Sequence, residues 1–226
     1  MSKTNHSIEK EFRAEPQMKS TRPSARTRIF TAARELFYRQ GIRAVGVDAI
    51  AQAAGATKMT LYRAFASKDE LVAECLRQSQ QEFMAWWDNT VSAHANDPKA
   101  ALLALFAGIE EKACTCEKRG CAISNASVEL SDPQHPGCAV ILEHNQQKRQ
   151  RLHTLAQQLD VKNPAQLSDV LMLLMNGAYF TRAAFGDQPP QFGLAALAAL
   201  LIEAQQTNPS APSSHGTEAL KKRAVS

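Results

Sequence analysis

Apolar residues recur at helical intervals along most of this chain, and no segment sustains the apolar–polar alternation of a strand. Arg26 to Gln40 sets Ile29, Ala32, Ala33, Leu36 and Phe37 on one side and stops at Gly41, a residue suited to the position after a helix end. Two short helices follow, Val47–Ala54 and one opening at Lys58. Gly55 between them lacks the Cβ that resists a left-handed turn. Ile50, Ala54, Ala56 and Leu61 are spaced to bury one helix on the other, with small Ala51 at the crossing and Thr57 placed as the second helix's cap. Ser67, followed by Asp69 and Glu70, opens a long helix to about Val91 with Val72, Leu76, Phe83, Trp87 and Val91 inward. Further helices are predicted over Lys99–Ala113, Gly120–Leu130, Gly137–Leu159, Ala165–Phe185 and Gln191–Gln206. The expected fold class is all-α, a three-helix head on a helical body, about nine helices in total.

The second short helix is left with Lys58, Met59, Thr60, Tyr62 and Arg63 outward. A basic, polar and aromatic face backed by a sealed apolar one is what a helix-turn-helix needs to enter a major groove. Charge changes the picture in the same direction. From Lys19 to Lys68 ten basic side chains face only Glu35 and Asp48, a balance of +8, while the whole chain carries +4. A cationic head on a mildly acidic body is the footprint of a phosphate-binding module.

The run RTRIFTAARELFYRQGIRAVGVDAIAQAAGATKMTLYRAFASKDEL, with its TLYRAF and SKDEL segments, resembles the DNA-binding head of the TetR/AcrR family of bacterial transcriptional regulators. The resemblance implies DNA contacts from Arg28, Thr57, Lys58, Met59, Thr60, Tyr62, Arg63 and Lys68. Tyr62 and Lys68 would meet phosphate, and the planar fork of Arg63 suits guanine. Met59 stands where many relatives have Gly, and Val47 where many have Thr. The family further implies a homodimer paired through helices 165–184 and 191–206. It also implies a near-palindromic double-stranded operator and a small-molecule effector that releases it. The near-uniform Ala and Leu content of 191–203 independently asks for a second buried side.

This reading divides the chain into an arm (1–23), a DNA-binding head (24–68, helix-turn-helix 46–65), an effector-binding and dimerisation body (69–206) and a Pro-, Ser- and Gly-containing tail (207–226). Candidate effector contacts are Phe83, Trp87, Phe106, Asn125, Glu129, His144, Tyr179 and Phe180, with Trp86 and Arg182 nearby. Asn125 and Glu129 stand out, because they lie one turn apart inside an apolar segment where an unpaired polar group is costly. Cys114, Cys116, Cys121 and Cys138 cluster without the paired spacing of a zinc site, so no metal and no cofactor is expected. Cys121 is the candidate for an alternative, a repressor that senses electrophiles or oxidants through a thiol. An architectural DNA-binding protein without an effector is the other alternative. Five cysteines, a charged polar start and no apolar run near 20 residues predict a cytoplasmic protein with no membrane association. Glycine-rich nucleotide loops, nucleophile elbows and HExxH pairs are missing, so an enzyme is not expected.

Overall fold

The computed structural model describes residues 23–115, 119–185 and 193–206, without the side chains of 114 and 115. The arm up to residue 22, the tail from 207, Cys116 and the start expected for the last helix (191 and 192) lie outside the described residues.

Three helices form the head: α1 (Ala25–Gln40), α2 (Val47–Ala53) and α3 (Lys58–Ala64). Each boundary has a local cause. Ser24 Oγ accepts the Thr27 N–H at 3.1 Å and starts α1, and Gly41 ends it with φ +91. Gly55 turns the chain at φ +57, and Thr57 Oγ1 accepts the Thr60 N–H at 3.1 Å to start α3. No side chain caps α2; Gly46 precedes it, and Asp48 sits in its first turn.

Ser67 then caps α4 (Lys68–Ser92) by accepting the Glu70 N–H at 3.0 Å. The body continues through α5 (Pro98–Thr115), α6 (Ala122–Glu129), α7 (Pro136–Gln157), α8 (Pro164–Phe185) and α9 (Leu194–Gln205). Among the described residues there is no strand, only an isolated bridge between Val161 and Gln206. No helix among them is long and apolar enough to cross a membrane.

Two apolar clusters hold these helices. The first joins Ile29, Phe37, Ile50 and Leu61 of the head to Leu71 and Leu76 of α4, Ile123 and Ala126 of α6, and Val140 of α7. The second packs Trp87, Leu102, Phe106, Leu152, Leu171, Met175, Leu194 and Ile202 at the far end of the body. At about 1.5–3 kcal/mol for each large side chain removed from water, the first cluster fastens the head along α4, α6 and α7 together. The head is therefore not hung on α4 alone.

Candidate functional site

Leu61 is fully buried in the head's cluster, and its burial fixes which way α3 faces. The opposite side presents Lys58, Met59, Tyr62 and Arg63 to solvent, with Thr57 at the helix start exposed and Thr60 half-buried. Lys58 Nζ lies 3.3 Å from Asp48, an exposed pair worth little in water. Arg63 has no partner among the described residues, so its guanidinium is available to a ligand. The expected reading face is thus assembled on one side of one short helix.

Much of the head's positive charge serves cohesion instead. Arg26 meets Glu74 of α4 at 2.6 Å and stacks 4.6 Å from the Phe65 ring centre. Arg34 pairs with Glu82 at 2.7 Å, and this hydrogen bond holds the Glu82 carboxyl below its ordinary range. Arg28, expected on DNA, donates through Nε to the Ala54 carbonyl at 3.0 Å and reaches the Gly55 and Pro23 carbonyls. It ties the end of α2 to α1. Lys68, also expected on phosphate, donates to the Ile42 carbonyl at 2.7 Å, with its Nζ 5.9 Å from the Phe37 ring centre. A count of charges along the sequence cannot distinguish these inward donors from groove-facing ones.

Asn125 and Glu129, expected against an effector, are placed at the seam between head and body. Glu129 Oε2 accepts the Ile42 N–H at 2.6 Å and the Arg43 N–H at 3.1 Å, and Arg119 stands 3.7 Å from Oε1. Asn125 donates to the Arg119 carbonyl at 2.6 Å, and Arg119 donates to the Arg39 carbonyl at 3.0 Å. Tyr38 Oη donates to the Gly120 carbonyl at 3.1 Å, and Arg43 reaches Ser131 Oγ at 3.1 Å. The α6 segment therefore grips the turn between α1 and α2. A cleft of about 360 Å3 opens beside this grip, between Phe30, Tyr38, Val72, Leu76, Asn125 and Glu129.

The other expected effector contacts separate into three groups. Phe83 packs against Trp86 (5.4 Å between ring centres), Trp87 (6.1 Å) and the edge of His144 (5.1 Å). Phe106 and Tyr179 are buried in the far cluster. Phe180 does not join them: it is 76% exposed on the outer side of α8. Lys148 was not among the expected contacts, although its place on the inward stripe of α7 marked a polar group turned toward the body's interior. Lys148 is buried beside His144, and its Nζ donates to Asn176 Oδ1 at 3.1 Å. Burial and the neighbouring ammonium push the His144 imidazole down to about 3. Cys121 is half-buried at the N-cap of α6, whereas burial pushes the Cys75 thiol up to about 12. No group of three metal-ligating side chains occurs among the described residues.

The family described as bacterial regulatory proteins of the tetR family matches residues 29–75, the head and the first turns of α4. No curated protein sequence matches the chain. Solved structures match about four-fifths of it. A TetR-family transcriptional regulator from Streptomyces coelicolor is 27% identical over 80% of this chain and 93% of its own, with a TM-score of 0.70. A protein from Streptomyces avermitilis described as a TetR transcriptional regulator is also 27% identical, over 81% of this chain and 98% of its own, with a TM-score of 0.67. NemR of E. coli, solved in a reduced form, shares the fold at 16% identity and a TM-score of 0.65, over 83% of this chain and all of its own. The helix-turn-helix head, the all-helical body and these likenesses agree: residues 29–75 carry the DNA-binding head of the tetR family of bacterial regulatory proteins, and the chain has the fold of TetR-family transcriptional regulators.

Proposed function

We propose that this protein is a homodimeric repressor that holds a near-palindromic operator and releases it when a small molecule binds the body. In this reading residues 24–68 bind DNA and 69–206 bind the effector and the second copy. Arg63 reads a base edge, Lys58, Thr57 and Tyr62 contact the backbone, and Met59 and Thr60 face the groove. Pairing draws support from an apolar stripe that runs along α8 as Leu173, Gly177, Phe180 and Ala184, all exposed in the single chain. Leu200 is likewise exposed on α9. Two-fold pairing there would set two α3 helices one DNA turn apart, about 34–36 Å.

The observation that carries the reading is the Glu129 carboxylate on the Ile42 and Arg43 amides. It couples a body helix to the turn that immediately precedes the helix-turn-helix. An effector that favours a different position of α6 reorients the head, and a coupling of about 1–3 kcal/mol changes operator occupancy 5- to 150-fold. Footprinting on the DNA upstream of its own coding region tests this. A repressor protects two half-sites, and a panel of small molecules contains one that clears them. Protection that nothing clears favours an architectural protein.

A second reading has its own observation. Cys121 begins α6 and packs against both apolar clusters. Cys121 is half-buried at the start of the helix that ends at Glu129, so an electrophile that added to its thiol would act on the same helix. Cys121→Ser separates this reading from the first: it abolishes release by electrophiles and spares release by a reversible ligand.

A further inference from the structure

Resting on the effector-released reading above, we infer that the effector carries an acidic group, which pairs with Lys148 and His144 inside the body. The two side chains lie four residues apart on α7, and therefore on one face of it. Both are almost wholly buried, at 3% and 1% exposure. An ammonium has three N–H donors to place. Lys148 places one on the neutral Asn176 amide, and no carboxylate among the described residues lies within ion-pairing distance of it. His144 Nδ1 is the one buried side-chain nitrogen or oxygen among the described residues with no hydrogen-bond partner.

A buried cation beside an unsatisfied imidazole is costly to a folded chain, and the cost is offset when an anion supplies the missing acceptor. A neutral ligand would leave the ammonium uncompensated. The neighbouring side chains describe the rest of the occupant. Phe83 presents its ring to His144 and continues into Trp86 and Trp87, an apolar side suited to an aromatic or short aliphatic body. Gln80 and Gln147, bonded to each other at 3.3 Å, join α4 to α7 beside this stretch of α7. Cys121, near Lys148, places the start of α6 at the same spot. The occupant is a small monocarboxylate or a similarly acidic compound, seated where it can move the helix that ends at Glu129.

The test uses the full chain without DNA. Its melting temperature is followed with benzoate, phenylacetate and hexanoate at millimolar concentration, each beside its primary amide. At least one acid raises the melting temperature by several degrees while its amide does not. Lys148→Met melts higher than the wild type without ligand, because an unpaired buried charge is gone, and no longer responds to the acid. Amides that act as well as acids, acids that all fail, or a Lys148→Met protein that melts lower or keeps its response would each overturn the inference. An acid that binds but leaves operator binding unchanged keeps the pairing and overturns the effector reading instead.

Discussion

Glu129 lies so close to Gly41 that a Cβ built on the glycine would come within 2.9 Å of the Glu129 Oε2. The same oxygen accepts the next two backbone amides, so glycine at 41 both ends α1 and admits a carboxylate from α6. The head's orientation is thereby set by a body helix, through a hydrogen-bonded contact that no apolar packing can imitate.

Altering either side of this contact should loosen the head. A charged acceptor for two amides is worth roughly 2–3 kcal/mol, and a neutral one about half of that. Glu129→Ala is expected to cost about 2–3 kcal/mol in urea denaturation, and Glu129→Gln about 1 kcal/mol. Gly41→Ala adds left-handed strain of about 1–2 kcal/mol to the displacement of Glu129. If Glu129→Ala unfolds at the wild-type urea concentration and binds operator as tightly, the grip does not position the head.

Arg63 and Lys68, one cation on α3 and the other at the start of the helix that follows it, should behave differently. Arg63→Ala should leave stability unchanged, cost about 1–3 kcal/mol on the operator and relax one base position in binding assays. Lys68→Met removes the donor to the Ile42 carbonyl and should lower the melting temperature instead. Equal losses on operator and random DNA for Arg63→Ala would argue against base reading.

Glutamates on the α8 stripe should separate the subunits. Leu173→Glu with Phe180→Glu places two charges where apolar surface is exposed, at 71% and 76% in the single chain. Sedimentation should then report a folded monomer, with operator affinity lowered at least a hundredfold. A double variant that stays dimeric would place the interface elsewhere.

The buried histidine gives a pH signature. The His144 imidazole is pushed down to about 3 in the folded chain, first by burial and then by Lys148. The unfolded chain takes up that proton below its ordinary value of about 6.5, so folding stability falls as pH drops through that value, and the loss continues down to about 3. Between pH 7 and pH 5.5 the loss should be about 1 kcal/mol by urea denaturation, and His144→Leu should remove it. An unchanged slope in that variant would show that His144 is not the group.

The helices were legible because their boundaries are local chemistry: Ser24, Gly41, Gly55, Thr57 and Ser67 act within a few residues of themselves. The solvent-facing side of α3 was legible for a related reason, since burial of Leu61 dictates where Lys58, Tyr62 and Arg63 point. Long-range pairing was not. Arg28 and Lys68 count as positive charge in a sequence, yet Arg28 also donates to carbonyls 26 and 27 residues away (Ala54, Gly55) and Lys68 to one 26 residues away (Ile42). The 4-residue spacing of Asn125 and Glu129 marked polar groups on an apolar segment that need partners, and both are half-buried and hydrogen-bonded. Which partners they took, an arginine carbonyl and the turn after α1, depends on how α6 docks.

The most direct measurement is selection of bound sites by the purified chain from a random duplex pool, with the stoichiometry of the winning complex determined by sedimentation. The account predicts enrichment of a near-palindrome whose half-sites are about one helical turn apart, occupied by whole dimers. No enrichment over random sequence, or a single half-site held by a lone subunit, would contradict it.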